Sequence, residues 1–216
     1  MTKPTFLPGA LRRRRSAAPA AALWLACALA SSAVAAAGPP AREPDDESLG
    51  SARAPVTVIE YGSVGCPHCA AWAQTVFPEF KKRLIDTGKV RFVMREELTG
   101  EPVLAAAGFL LARCAGPQKY FDVVDKVFAA QPQIFASGEA LTSLTAIAKS
   151  EGMDEAALKA CVTNKAALDA LEARAQRHAV EDGVSATPTF MIGQTKLVGD
   201  QSLDKLEAAV AAARRR

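Results

Sequence analysis

The feature that most narrows the fold is a β-branched run delivered straight into a close pair of cysteines. Val56-Thr57-Val58-Ile59-Glu60-Tyr61 reads as a buried strand. After a short break comes Cys66-Pro67-His68-Cys69, and beyond it Ala70, Ala71, Trp72, Val76 and Phe77 recur at helical spacing. Two cysteines spaced this way at a helix start can close a small, strained disulfide ring. The first sulfur then sits over the unpaired backbone N–H groups and the positive end of the helix dipole, where thiolate is favoured over thiol. This is an arrangement for thiol–disulfide exchange.

Other readings of the pair fit less well. Half of a zinc site wants a second ligand pair at similar spacing, and Cys114 and Cys161 are solitary and far apart. A purely structural Cys66–Cys69 bridge would be an unusually small ring. His68 lies between the cysteines, where a cationic or hydrogen-bonding imidazole can stabilise the Cys66 thiolate; its plain alternative is a solvated histidine at a helix start. His178 has no partner pattern and reads as exposed. Glu60 stands at the strand end, six residues before Cys66. Buried without a partner it should have a raised pKa suited to proton transfer; the alternative is a solvent-facing glutamate at the strand end. Lys89 is a loose candidate partner. Trp72, one helical turn beyond Cys69, reads as core packing that reports on the disulfide.

Charge excludes one class of function. The chain of 216 residues has a formal charge of +3. Its first 37 residues hold Lys3 and Arg12 to Arg15 and no acid; without those five of the 26 basic residues, 21 remain against 23 acidic ones. The terminal Arg214-Arg215-Arg216 apart, no basic face is left for nucleic acid.

Read in order, residues 1–37 form a basic n-region, the apolar run Ala21 to Ala37 and an Ala35-Ala36-Ala37 cleavage site, a secretory signal cut after Ala37 or Ala35. The alternative is an uncleaved anchor, since the run approaches the length of a membrane span, with its N-terminus cytoplasmic. Cys27 follows Trp24-Leu25-Ala26, a poor lipobox. Removing it leaves four cysteines, an even count that suits an oxidising compartment. Residues 38–54, rich in proline, acid and small residues, read as a disordered lead-in. A helix from Cys66 towards Asp86, kinked at Pro78, leads to a second strand over 89–95. Residues 101–182 show only helical patterns, about five helices. Strand character returns at 189–192 and 195–198 around the tight turn Gly193-Gln194, and 201–214 forms a last amphipathic helix opened by Ser202.

From Val58 to Cys69, and again at Gly183-Val184-Ser185-Ala186-Thr187-Pro188-Thr189-Phe190, the sequence resembles the DsbA-like thiol–disulfide oxidoreductases, over roughly Pro55 to Ala212. The resemblance implies an α/β thioredoxin fold with an all-helical insertion: a first half over 55–100, the insertion over 101–182 and a second half over 183–216. It makes Thr187–Pro188 a cis bond beside the cysteine pair. Only X–Pro bonds adopt cis at small cost, and the backbone at Thr187 is then open to pair with an extended substrate peptide. It gives Glu60 the proton-transfer role, and it pairs Cys114 with Cys161 in a second disulfide worth about 4 kcal/mol in the chain-entropy model.

The activity implied is periplasmic oxidation of dithiols in exported proteins through Cys66–Cys69, assisted by Pro67, His68 and Glu60. The implied partners are unfolded or partly folded exported proteins with cysteines and a quinone-linked membrane reoxidant of the DsbB or VKOR type. The enzyme is expected to be a monomer needing no metal or organic cofactor. One departure favours an alternative. In the strongest oxidases the residue before the cis-proline is usually Val, whereas Thr187 is more like the DsbG and DsbC isomerases. A reductase or isomerase is therefore the second reading, and a non-catalytic metal-binding or holdase protein on the same fold the third.

Overall fold

A mixed five-stranded sheet carries the cysteine pair. The computed structural model describes Thr2, Pro40 and residues 43–215, so the segment expected to be a signal, Thr2 apart, lies outside the described residues. The strands are β1 (Glu47–Leu49), β2 (Val56–Gly62), β3 (Val90–Glu96), β4 (Thr189–Ile192) and β5 (Thr195–Val198), arranged side by side as β1-β3-β2-β4-β5. β2 and β3 are parallel and in register from Val56↔Val90 to Gly62↔Glu96; every other neighbouring pair is antiparallel.

A parallel pair needs a crossover, and here it is helical. It consists of α1 (Pro67–Thr75), α2 (Phe77–Phe80) and a π-helical turn, Lys81–Ile85. The kink expected at Pro78 is a break at Val76: proline has no N–H for the ladder, so it sits in the first turn of a new helix. The expected helical block is α3 (Pro102–Ala115), α4 (Tyr120–Ser137), α5 (Ala140–Ser150), α6 (Glu155–Val162) and α7 (Lys165–Glu181). Helix α8 (Leu203–Ala213) closes the fold, with the Ser202 hydroxyl accepting from the Lys205 N–H. Cys114 and Cys161 are joined, S–S 2.10 Å and Cα–Cα 6.2 Å, tying α3 to α6.

Strand alternation sorts the two sheet faces. Val56, Val58, Val90, Phe92 and Met94 join Trp72 and Phe80 in the main core, which continues into the insertion through Leu104, Phe109, Tyr120 and Phe128. Ile59, Tyr61 and Val93 pack with Val184 in a smaller cluster. Within residues 43–215 the sheet and the helical block belong to one compact unit, so the block is packed on the sheet-bearing part rather than tethered to it. Among the described residues no helix is long and apolar enough to cross a membrane.

Two expectations give way here. Part of the lead-in is ordered: β1 pairs antiparallel with β3. The cause is Arg95 on β3, which is 2% exposed and needs counter-charges. Asp46 and Glu43 of the lead-in supply them at 3.1 and 3.7 Å, Asp182 at 2.8 Å, and the Tyr61 hydroxyl accepts at 3.0 Å. The acidic composition that suggests disorder is thus the ligand set of a buried guanidinium. His178 is likewise not exposed. It is 2% accessible, its ring nitrogens 3.4 and 3.3 Å from the carboxylates of Glu43 and Glu97.

Candidate functional site

The turn after β2 is built to present Cys66. Cys66 N–H donates to the Ser63 carbonyl at 3.0 Å and Gly65 N–H to the Ser63 hydroxyl at 3.1 Å. From α4, the buried Gln131 amide donates to the carbonyls of Val64 and Cys66 at 2.7 and 3.2 Å, fixing the turn to the insertion. Cys66 is the N-cap of α1, with φ −99° and ψ 122° and no side-chain capping bond, and Pro67 begins the helix. Its sulfur is therefore left for chemistry at the positive helix end.

Cys66 and Cys69 are free thiols, 6% and 0% exposed. The Thr187–Pro188 peptide bond is cis. It brings the Thr187 carbonyl to 3.5 Å from Cys66 Sγ, where it accepts from the thiol. The Ser63 N–H donates to Cys69 Sγ at 3.4 Å. Hydrogen bonding from the Cys69 thiol is the largest cause that pulls the Cys66 pKa from 9.0 to about 5; burial opposes it, and the Thr187 side chain and the backbone N–H groups of Cys69 and His68 add to it. Cys69 is pushed up, first by keeping that shared proton, then by burial and the charge of Glu60. One sulfur is poised as thiolate and the other as its proton donor, the asymmetry that exchange requires.

His68 projects to solvent and its Nδ1 lies 3.2 Å from Asp200 in the loop before α8. The Asp200 hydrogen bond and charge raise its pKa, and the Cys66 charge adds to this. Asp200 is held there by its neighbours: the Gly199 N–H donates to the Pro188 carbonyl at 2.8 Å, and Gln201 donates to the carbonyls of Val198 and Gly199.

Glu60 is 1% exposed and its Oε1 has no hydrogen-bond partner among the described residues. Burial first, then the Cys66 charge, raises its pKa from 4.5 to about 8. Gly62 makes room for it, since a Cβ there would lie 2.9 Å from Oε1. Lys89 is not its partner. Its ammonium donates to the Arg83 carbonyl at 3.2 Å, and it precedes the far end of β3, whereas Glu60 pairs with Met94. A small cavity beside Glu60, walled by Trp72, Phe92, Met94 and Phe128, reaches the exposed Asp125. Trp72 is 2% exposed, its ring 4.7 Å from that of Phe190. No group of three or more His, Cys, Asp or Glu side chains among the described residues is placed to hold a metal ion.

Sequence reasoning overlooked Ser63, Thr99, Gln131 and Asp200. For Thr99 a signal exists. β2 and β3 are parallel, and loops at the carboxyl ends of neighbouring parallel strands gather at one rim. The residues after β3 therefore stand beside the turn after β2. No comparable rule points to Gln131 or Asp200, which arrive from helices and loops distant in sequence.

In sequence, the pattern of the thioredoxin family fits residues 42–212. A provisionally named protein-disulfide oxidoreductase of Rickettsia conorii is 34% identical over 167 residues, 77% of this chain and 59% of that protein. The chain thus spans less than two thirds of that relative. Disulfide bond formation protein D of Bacillus subtilis is 33% identical over 87 residues, 39% of each protein. In structure, α-DsbA1 of Wolbachia pipientis superimposes with a TM-score of 0.72 at 25% identity, covering 81% of this chain and 93% of that one. Oxidised BdbD of Bacillus subtilis, at 22% identity and a TM-score of 0.71 over 79% of this chain and 94% of its own, is alike in fold.

Proposed function

The chain belongs to the thioredoxin family, as a DsbA-like member, and from that premise we propose that it is a protein dithiol oxidase acting on exported proteins through Cys66 and Cys69. The observation that carries this reading is the asymmetric pair: Cys66 at the helix N-cap with its pKa drawn down to about 5, and Cys69 fully buried and protonated behind it. In the oxidised enzyme a substrate thiolate attacks Cys66 Sγ. The Cys66–Cys69 bond breaks, Cys69 leaves and takes up a proton, and a mixed disulfide links substrate to Cys66. A second substrate thiolate attacks the substrate sulfur, a disulfide forms in the substrate, and Cys66 departs as the stabilised thiolate. Two electrons pass from the substrate dithiol to the cysteine pair. Glu60, whose charge acts on both sulfurs, takes the proton-transfer role at Cys69. Thr187 and Pro188 form the groove for the substrate backbone.

The signal-like first 37 residues and the Cys114–Cys161 bridge support an oxidising, periplasmic location. Turnover then calls for a membrane reoxidant of the DsbB or VKOR type. In this reading a first half over 55–100 and a second half over 183–216 flank an insertion over 101–182, and the enzyme works as a monomer. Thr187 favours the second reading, a reductase or isomerase.

Thiolate absorbance against pH, with a glutathione titration read by Trp72 fluorescence, separates the two. The oxidase reading expects a Cys66 midpoint near 5 and a potential well above that of thioredoxin. A midpoint near the ordinary 9.0 with a thioredoxin-like potential would establish the reductase instead.

A further inference from the structure

Thr99 lies in the loop joining β3 to α3, outside both sequence signals of the active site. Its hydroxyl is 2.6 Å from the hydroxyl of Thr187, with either oxygen able to donate. Its backbone is tied to the turn that presents Cys66: the Thr99 carbonyl accepts from the Ser63 hydroxyl at 2.8 Å, and two residues on, the Glu101 N–H donates to the Gly65 carbonyl at 2.9 Å. Gly100, at φ +74°, lets this contact form, since a Cβ there would lie 2.1 Å from the Gly65 oxygen. Thr99 is therefore held against both halves of the site, the turn before Cys66 and the residue before the cis-proline.

We propose that Thr99 is a positioning residue that completes a hydroxyl relay, Thr99 to Thr187 to the Cys66 thiolate, and thereby sets how readily the reduced pair gives up its proton. The proposal rests on the reading of Cys66–Cys69 as the redox pair. Its logic is a count of protons. A threonine hydroxyl has one hydrogen to donate and two lone pairs to accept with. While Cys66 is a thiol, its own hydrogen goes to the Thr187 carbonyl. Once Cys66 is a thiolate it has nothing to donate and needs donors; Thr187 already lies against its sulfur, with its carbonyl at 3.5 Å, and the Thr187 side chain is one of the groups that lower the Cys66 pKa. Thr187 can give its single hydrogen to sulfur only if it does not give it to Thr99. At their short separation the two hydroxyls still share one hydrogen, so Thr99 must then be the donor. Ionisation of Cys66 aligns the chain, and a donor behind Thr187 makes its hydroxyl a stronger donor to sulfur.

The test is the Cys66 thiolate midpoint and the glutathione equilibrium of the full chain carrying Thr99→Val, Thr99→Ser, Thr187→Val or both valines. Thr99→Val is expected to make Cys66 a weaker acid by roughly three- to tenfold, the size of one net hydrogen bond, and the disulfide less oxidising in step. Thr99→Ser keeps the hydroxyl and should stay near the parent. In the Thr187→Val background, adding Thr99→Val should shift nothing further, because the relay is already cut. If valine prevents folding, Thr99→Ala replaces it. A depressed midpoint in the parent that Thr99→Val leaves in place overturns the relay alone, as does an equal shift in the Thr187→Val background, which would mark a purely structural effect. A parent midpoint at the free-thiol value overturns the redox-pair reading and the relay with it.

Discussion

Glu60 shows how one buried residue couples chemistry to stability. Its carboxyl is pushed from 4.5 to about 8, chiefly by burial. The folded chain therefore holds this proton more tightly than the unfolded chain. A pKa raised on folding gives stability that is complete below the unfolded value and lost as pH rises through the folded one. The parent protein should lose stability between about pH 4.5 and 8 from this group. Glu60→Gln keeps the shape and removes the titration. It should match the parent near pH 4 and exceed it above pH 8 by on the order of a few kcal/mol. Denaturant unfolding of the oxidised protein across pH reads the burial contribution by itself; the Cys66 charge is absent there, so the upper end of the interval falls below that of the reduced protein. The same variant should slow exchange if Glu60 moves the Cys69 proton. Glu60 was legible in the sequence because strand period and distance from Cys66 together place it. Its supposed partner Lys89 was not, because the partner of a strand residue is set by register, and register aligns Glu60 with Met94.

Among the elements, β1 is where sequence and structure part company. The runs that formed as expected, such as β2, α3 and the β4–β5 hairpin, are specified locally by periodicity, β-branching and turn residues. Three-residue β1 has none of these. It forms because Asp46 and Glu43 meet a guanidinium 49 and 52 residues further along the chain, in Arg95. A long-range charge pairing leaves no local signature, so composition alone reads as disorder. The consequence is measurable. The side chains of Asp46 and Arg95 are 5% and 1% exposed. Removing one partner of a buried pair strands the other, at about 3 kcal/mol, the lower end of the usual range because Asp182 and Tyr61 remain with Arg95. Asp46→Ala is expected to lower unfolding free energy by about that amount and to speed amide exchange in β1 and β3. By contrast, Asp169→Ala, which breaks the exposed Lys165–Asp169 pair on α7, should change stability by no more than about 0.5 kcal/mol. Equal effects from the two substitutions would mean that β1 is held by backbone pairing rather than by its charges.

Across the whole molecule, redox state and folding are linked through the same two sulfurs. In the oxidised protein neither titrates. In the reduced protein Cys66 ionises near pH 5 when folded, against 9.0 ordinarily. A pKa depressed on folding stabilises the folded form, fully above the unfolded value and not at all below the folded one. The reduced protein should therefore gain on the oxidised one as pH climbs from about 5 to 9. Cys69 acts with the opposite sign. Its pKa is raised on folding, so above pH 9 the unfolded chain releases a proton that the folded chain keeps, and the advantage shrinks again. Against a constant offset stands the oxidised ring itself, which restricts the unfolded chain equally at every pH. The expected result is a difference in unfolding free energy, reduced minus oxidised, that rises through neutral pH, peaks near 9 and then falls. Paired denaturant titrations of the two forms at pH 5, 7, 9 and 10 measure it. A fold that favours its reduced state is thermodynamically a fold that oxidises others, so the slope between pH 5 and 9 is an equilibrium measure of oxidising strength obtained without any substrate. A flat difference over that interval would mean that Cys66 is not held as a thiolate, and the direction of catalysis would then have to be reversed.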